Sequence, residues 1–272
     1  NRVIVYPQGV RLENKQWGEE HGIGISTSGI NSIELIKGPA YVIYGSDAMG
    51  GVLYVEPEKY SSDFSIDYMG IYNSNYSGIT NNIGLKGSSG NFSYLLRGSM
   101  TDNQNFSSPD GEVENTWFKE NDIQAGLMYK TENFSSDLRL SMNFSELGIP
   151  HMEEGHDDHD DHDDHEGHDD HDDHEGHEDH YQELSHTILT WKNNFDLGND
   201  HNLEVTLGRQ VNDRKEFGGH GEEEGHDDHD DEHEGHDDHD DHGHGGSDAE
   251  LDMELVTNSL DASITMHNLK IL

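Results

Sequence analysis

A chain of 272 residues that is 30% hydrophobic and carries a formal net charge of −43 would ordinarily point to disorder or to an acidic solvating protein. Two tracts distort that average: 151–180 and 220–244 hold 29 of the net negative charges and no Lys or Arg, leaving −14 for the rest. The charge argues against nucleic acid as a partner and favours cations, and the lack of cysteine excludes disulfides and thiolate metal sites. No run nears the roughly 18 apolar residues of a membrane helix, a limit that leaves membrane β-barrels open because their strands alternate. The chain opens at Asn1 and stops at Leu272 straight after an alternating run, so it reads as an excerpt of a longer protein.

Residues 1–57 combine Gly-rich turns with short apolar runs such as Val3-Ile4-Val5. The stretch Ile33-Glu34-Leu35-Ile36-Lys37-Gly38-Pro39-Ala40-Tyr41-Val42-Ile43-Tyr44-Gly45-Ser46-Asp47-Ala48-Met49-Gly50-Gly51-Val52 closely resembles the end of the plug domain of TonB-dependent outer-membrane receptors, in register over its whole length. Its paired glycines suit tight turns where a Cβ would clash. Arg2-Val3-Ile4-Val5 and Gly9-Val10-Arg11-Leu12 resemble the plug's earlier strand pair and turn. Two positions depart from the pattern: Tyr6-Pro7-Gln8-Gly9 stands at the usual Asp-Gly turn, and Leu53-Tyr54-Val55-Glu56 at the usual apolar strand. The resemblance implies a plug inside a 22-stranded antiparallel barrel in the outer membrane of a Gram-negative bacterium, energised across the periplasm by the TonB complex.

From Phe64 onward the period is two. Phe64, Ile66, Tyr68 and Tyr72 share one face, then Ile79, Ile83 and Leu85, then Phe92, Tyr94, Leu96 and Met100. The clearest runs are Ile123, Ala125, Leu127 and Tyr129, followed by Leu138, Leu140, Met142 and Phe144 against Arg139, Ser141 and Asn143. Runs at 187–195, 203–211 and 256–266 bring the total to about eight strands, the last with a phase slip near Leu255. Each is a strand with one apolar face. Short connections at 87–91, 131–135 and 198–202 alternate with long ones at 102–120, 147–182 and 212–250, so in an up-and-down meander the long loops share one end, the habit of outer-membrane barrels. The first hairpin, near 73–77, falls on the long-loop side yet is short.

A soluble β-sandwich also alternates, but runs of ten or more residues exceed the usual 5–6 of globular strands. Tyr72, Phe92, Tyr129, Phe144, Trp191 and Phe195 near strand ends suit interfacial girdles in contact with membrane lipid. An eight-stranded barrel has room only for its own side chains, so these are expected to be the first strands of a larger one. The expected organisation is mainly β: residues 1–57 as the C-terminal part of a plug, then 58–272 as the N-terminal part of a barrel, with extracellular loops 147–182 and 212–250.

Those two loops carry the chemistry. The first holds His151, His156, His159, His162, His165, His168, His171, His174, His177 and His180, and the second His220, His226, His229, His233, His236, His239, His242 and His244, together 18 of the 22 histidines. Imidazole with carboxylate suits zinc, nickel, cobalt and copper(II), while soft copper(I) is disfavoured without Cys or a Met run. Zinc leads, because it accepts mixed nitrogen and oxygen ligands and because the resemblance includes zinc-uptake receptors with His-rich loops. Such tracts, with nothing apolar to bury, are expected to be disordered without metal. Their overlapping ligand sets make multivalent scavengers, and the spacing fixes no particular set. Glu20 and His21, after Trp17-Gly18 in a turn-rich segment, are a second candidate, since the resemblance turns apical plug loops toward the entrance. His186, His201 and His267 are isolated, and structural or solvent-facing roles are expected for them.

The leading expectation is a transporter importing a divalent metal, with no catalytic cofactor and no catalytic constellation. A receptor for a metal chelate and a surface protein that buffers metal are the alternatives. A zinc hydrolase is the weakest, since catalytic zinc needs a fixed ligand set that repetitive tracts do not define.

Overall fold

In a computed structural model the chain forms a small mixed sheet seated against the polar face of a large antiparallel one. The structure describes residues 3–13, 25–38, 44–109, 111–150, 180–199, 201–218 and 249–266. The small sheet has strand β1 (Val3–Pro7) parallel to β3 (Gly51–Pro57), which is antiparallel to β2 (Ile30–Ile36). The large sheet runs in chain order through β4 (Ser65–Asn73), β5 (Gly78–Ser89), β6 (Phe92–Asn103), β9 (Phe118–Lys130), β10 (Phe134–Gly148), β11 (Tyr181–Gly198), β12 (His201–Phe217) and β13 (Leu251–Thr265). A two-residue hairpin, β7 (Ser107–Ser108) with β8 (Gly111–Glu112), sits in the connection between β6 and β9.

The eight expected strands are present in the expected order, and their faces are inverted relative to a soluble protein. Leu127 is 50% exposed and Tyr68 66%, whereas Asp122 is 4% and Gln210 3% exposed. A sandwich would bury the apolar face; here that face points away from the rest of the chain while the polar face is covered. Lipid is the medium that suits such a surface. Phe134 and Phe144 mark the ends of the apolar stretch on β10, ten residues apart, or about 33 Å of strand. At a typical barrel tilt that gives a height of about 25 Å, the expected apolar band. At the short-turn end, Phe92 packs on Tyr129 with centroids 4.9 Å apart and Phe134 on Phe195 at 5.0 Å, forming a girdle.

The slip near Leu255 has a physical origin. β12 and β13 pair without a register shift from Asn202↔Thr265 to Glu216↔Leu251, so the ladder is continuous and only the composition of the faces changes. Val211↔Val256 is the last apolar outward pair, and beyond it Asp213↔Glu254 and Lys215↔Asp252 face out. The strand has left the hydrocarbon and its outward positions meet water.

The small sheet is fastened to the polar inner wall. Val5, Val10, Leu12 and Val55 form a buried cluster with Ile188, an inward residue of β11. Gly208 on β12 permits this approach, since a Cβ there would lie 2.8 Å from Val10 Cγ1. Around the cluster, Gln210 Nε2 donates to Arg11 O at 2.6 Å, Gln124 Nε2 to Ser28 O at 2.6 Å, and Asn82 Nδ2 to Ser28 Oγ at 2.6 Å. Of the expected early strand pair only β1 is a strand; its partner is reduced to Leu12 N donating to Val5 O at 2.8 Å. The turn between them places both Gln8 (φ 54°) and Gly9 (φ 83°) in the left-handed region, the conformation that an Asp-Gly turn would supply.

Residues leaving the small sheet are equally tied. Tyr60 Oη donates to Asp137 Oδ1 at 2.6 Å, the Arg139 guanidinium lies 4.6 Å from the Tyr60 ring centroid, and Arg139 Nη1 donates to Glu58 O at 2.8 Å. Burial, and then the bond to Asp137, push the Tyr60 hydroxyl above the ordinary tyrosine pKa.

These faces predict opposite responses to charge. Leu138→Arg, in the middle of the band, is expected to cost about 2–4 kcal/mol of stability in lipid vesicles, and Glu146→Arg, beyond the band, about 0–1 kcal/mol. Urea titration of the refolded protein reads both, and equal costs would contradict the assignment of faces.

Candidate functional site

Two long connections leave the same end of the sheet side by side. The first joins β10 to β11 and the second β12 to β13, so β11 and β12, which pair directly, separate them. Tyr181 follows the first connection and Phe217 precedes the second; they are register partners, and their rings stack 4.5 Å apart at 9°. The necks of the two His-rich tracts therefore meet at one aromatic contact.

Each neck is closed by backbone bonds. Ile149 N donates to His180 O at 2.9 Å, and Glu250 N to Glu216 O at 2.9 Å. The first neck has a further clasp from the connection before β9. Asn115 is buried, adopts φ 56°, and donates Nδ2 to Ile149 O at 2.7 Å and to His180 O at 2.6 Å, while its Oδ1 accepts from Trp117 Nε1 at 3.0 Å. One side-chain amide thus bridges both feet of the tract. Left-handed backbone is tolerated by Asn better than by most residues, which lets one residue make the turn and the clasp together. Trp117 continues the row, with its ring 6.3 Å from that of Tyr181 and Lys119 Nζ 5.5 Å from its centroid.

Of the sequence-predicted metal residues, His180 lies in this neck, half-buried. Glu20, His21, His151, His156, His159, His162, His165, His168, His171, His174, His177, His220, His226, His229, His233, His236, His239, His242 and His244 lie outside the described residues. Among the described residues no three His, Asp or Glu side chains converge as a ligand set. The segment carrying Glu20 and His21 has both feet on the wall below the necks: residues 11–13 reach Gln210, and Ser28 reaches Gln124 and Asn82. From Gln210 to Phe217 is seven residues of β12, about 23 Å.

His186 is buried at 6% exposure rather than solvent-facing, on the inner wall between its register partners Asn143 and Asn212. On the same wall Asn143 Nδ2 donates to Glu120 Oε2 at 3.0 Å and to Asp122 Oδ1 at 2.7 Å. Sequence reading passed over these acids because a polar residue opposite an apolar one is what every barrel strand shows. Asn115 carries no signal in sequence at all.

Asn115→Ala removes three hydrogen bonds and puts in left-handed backbone a residue that tolerates it less well than Asn, together about 2–4 kcal/mol of local stability. Amide exchange at Ile149 is expected to accelerate by at least about tenfold, and less in Asn115→Gly, which keeps the turn. Wild-type exchange in both variants would contradict the clasp.

Residues 1–52 match the family model described as TonB-dependent Receptor Plug Domain. The comparison with curated protein sequences gives no match. Among solved structures, the chain is similar to the FrpB iron transporter from Neisseria meningitidis, with a TM-score of 0.60 and 10% identity over 80% of this chain and 34% of that one. It is also similar to the siderophore receptors PiuA (TM-score 0.56, 12% identity, 78% of this chain and 29% of that one) and PirA (0.52, 18%, 85% and 35%), both from Acinetobacter baumannii. At these identities the likeness is one of fold, and the chain spans about a third of the length of those receptors. A segment matched by the plug-domain model, lodged against eight consecutive antiparallel strands that share the fold of part of those receptors, is thus the architecture of this chain.

Proposed function

We propose that this chain is the capture and entry part of a TonB-dependent transporter, not an enzyme, that imports a divalent transition metal, most readily zinc. The observation that carries the reading is the shared root: two tracts rich in imidazole and carboxylate leave adjacent strands at the Tyr181–Phe217 contact, above the plug. Imidazole and carboxylate together suit zinc, with nickel, cobalt and copper(II) as competitors.

Dimensions support delivery to the plug. The 29 residues between 150 and 180 let the midpoint of that connection extend up to about 50 Å from its neck, more than the 23 Å or so down to the plug's apical feet. In this reading Glu20 and His21 receive the ion from the tracts, and energy from the TonB complex rearranges the plug to let it pass.

A second reading has an observation of its own. The FrpB neighbour is titled an iron transporter, and PiuA and PirA siderophore receptors, so a metal chelate is the alternative cargo, with the tracts in a regulatory role. A surface protein that only buffers metal would need no passage through the plug.

Excision of 151–179 and 221–248 from the full-length receptor is expected to lower uptake of radioactive zinc by cells under zinc scarcity at least about tenfold, since multivalent capture is lost. Glu20→Ala with His21→Ala should lower uptake while leaving zinc bound at the surface. Histidine's ordinary pKa is about 6.5, so protons displace metal on acidification, and calorimetric zinc occupancy at pH 5 should fall well below that at pH 7.5. Undiminished import of every transition metal after excision would end the proposal, and import of a ferric or zinc chelate in place of the free ion would favour the second reading.

A further inference from the structure

We propose that Asp67 is a stand-in partner that eases release of the plug's C-terminal end from the barrel wall. Glu58 is the first residue after β3, and its side chain is 13% exposed. Its carboxylate accepts from Lys86 Nζ at 2.6 Å, Arg97 Nε at 2.7 Å and Arg97 Nη2 at 2.9 Å. Burial alone would raise the Glu58 pKa, but the bonds from Arg97 and Lys86 hold it below the ordinary glutamate value.

Arg97, on β6, has a second carboxylate. Its Nη1 donates to Asp67 Oδ2 at 2.8 Å and its Nη2 to Asp67 Oδ1 at 2.9 Å, and Nη1 also donates to Asn82 Oδ1. Glu58 belongs to the segment leaving the plug, whereas Asp67 sits on β4, the first strand of the wall. The cation is therefore shared between a group that leaves when the plug end moves and one that stays. Gly84 on β5 makes the pocket, since a Cβ there would lie 2.4 Å from Arg97 Nη2.

The consequence follows from desolvation. A buried arginine deprived of its only carboxylate is left as an uncompensated charge, which makes breaking such a pair costly. With Asp67 in place the guanidinium keeps a bidentate acid throughout, one that is 48% exposed and stays on the wall. Lys86, partly exposed at 27%, can turn toward water. Glu58 can then let go without stranding a cation. Asp67 touches no cargo; it is a positioning residue that acts through Arg97.

The inference rests on the proposed function only in taking plug movement to be part of import, and it is tested without cargo. Hydrogen exchange of the peptide spanning 53–62 is followed in the full-length receptor in lipid discs, normalised to intrinsic rates. Glu58→Gln is expected to speed exchange. Asp67→Asn is expected to slow it by about tenfold, because release now strands Arg97, and Asp67→Glu should restore the wild-type rate. A purely structural Asp67 would behave as Glu58 does, so faster or unchanged exchange in Asp67→Asn overturns the proposal. Slowed exchange with zinc uptake unaltered would uphold the stand-in role and count instead against plug release as a step of zinc import.

Discussion

The large sheet turns a largely apolar face outward and a largely polar face toward the plug, and the other features of the chain follow from that division. Leu127, Leu138, Ile123 and Leu207 stand exposed on one side, while Asp122, Asn143, Thr190, Thr206 and Gln210 are buried on the other. Burial of so many polar groups is tolerable only when each finds a partner. The plug supplies backbone acceptors at Arg11 and Ser28 for the amides of Gln210 and Gln124. Where the plug presents its own cluster of Val5, Val10, Leu12 and Val55, the wall meets it with an apolar residue, Ile188. Plug and wall fit because polar side chains of the wall meet plug backbone and Ile188 meets the apolar cluster.

Much of this was legible in the sequence, for a reason that also fixes where legibility stops. A period of two sustained over ten or more residues can be read directly, and it yielded the eight strands, their apolar face and the alternation of short and long connections. The plug segment was legible because its glycine turns leave a long, ordered pattern, though the second strand of its early pair was not: Leu12 makes a single backbone bond to Val5, and a local pattern cannot count the bonds a partner will form. Which face would be buried did not follow from alternation, which is the same in a sandwich and in a barrel; strand length and the plug resemblance were what pointed the apolar face at lipid. Asn115 was invisible because its role depends on two carbonyls 34 and 65 residues away. The histidine tracts are the opposite case, visible through composition alone, because ligand chemistry there depends on which residues are massed together.

The phase change on β13 separates two functions along a single strand. Strands of 15 to 18 residues at β10, β11 and β13 are far longer than the 9–11 needed to cross a bilayer. Their surplus lies at the long-loop end, where the outward row Lys119↔Glu146↔Glu183↔Lys215↔Asp252 replaces apolar residues. Two residues further on stand Gly148, Tyr181 and Phe217. The necks of the tracts are four residues beyond Phe144 on β10 and six beyond Val211 and Val256 on β12 and β13, the last apolar outward residues there, about 13–20 Å of strand and some 10–15 Å of height at ordinary tilt. The sheet therefore lifts both roots clear of the headgroups before the chain turns acidic.

That lift matters electrostatically. An outer leaflet rich in phosphate would repel segments carrying this density of carboxylates, and screening at physiological salt acts over only about 8 Å. Necks about 10–15 Å out stand between one and two screening lengths away, so the repulsion is much reduced before the acidic tracts begin. A charged root also needs fastening that does not depend on charge. The necks use backbone hydrogen bonds, the Asn115 amide and the stacked rings of Tyr181 and Phe217, none of which is titrated or displaced when a divalent cation arrives. Whatever the tracts bind, the platform that holds them keeps its geometry, and the charge of the cargo acts on the tracts alone.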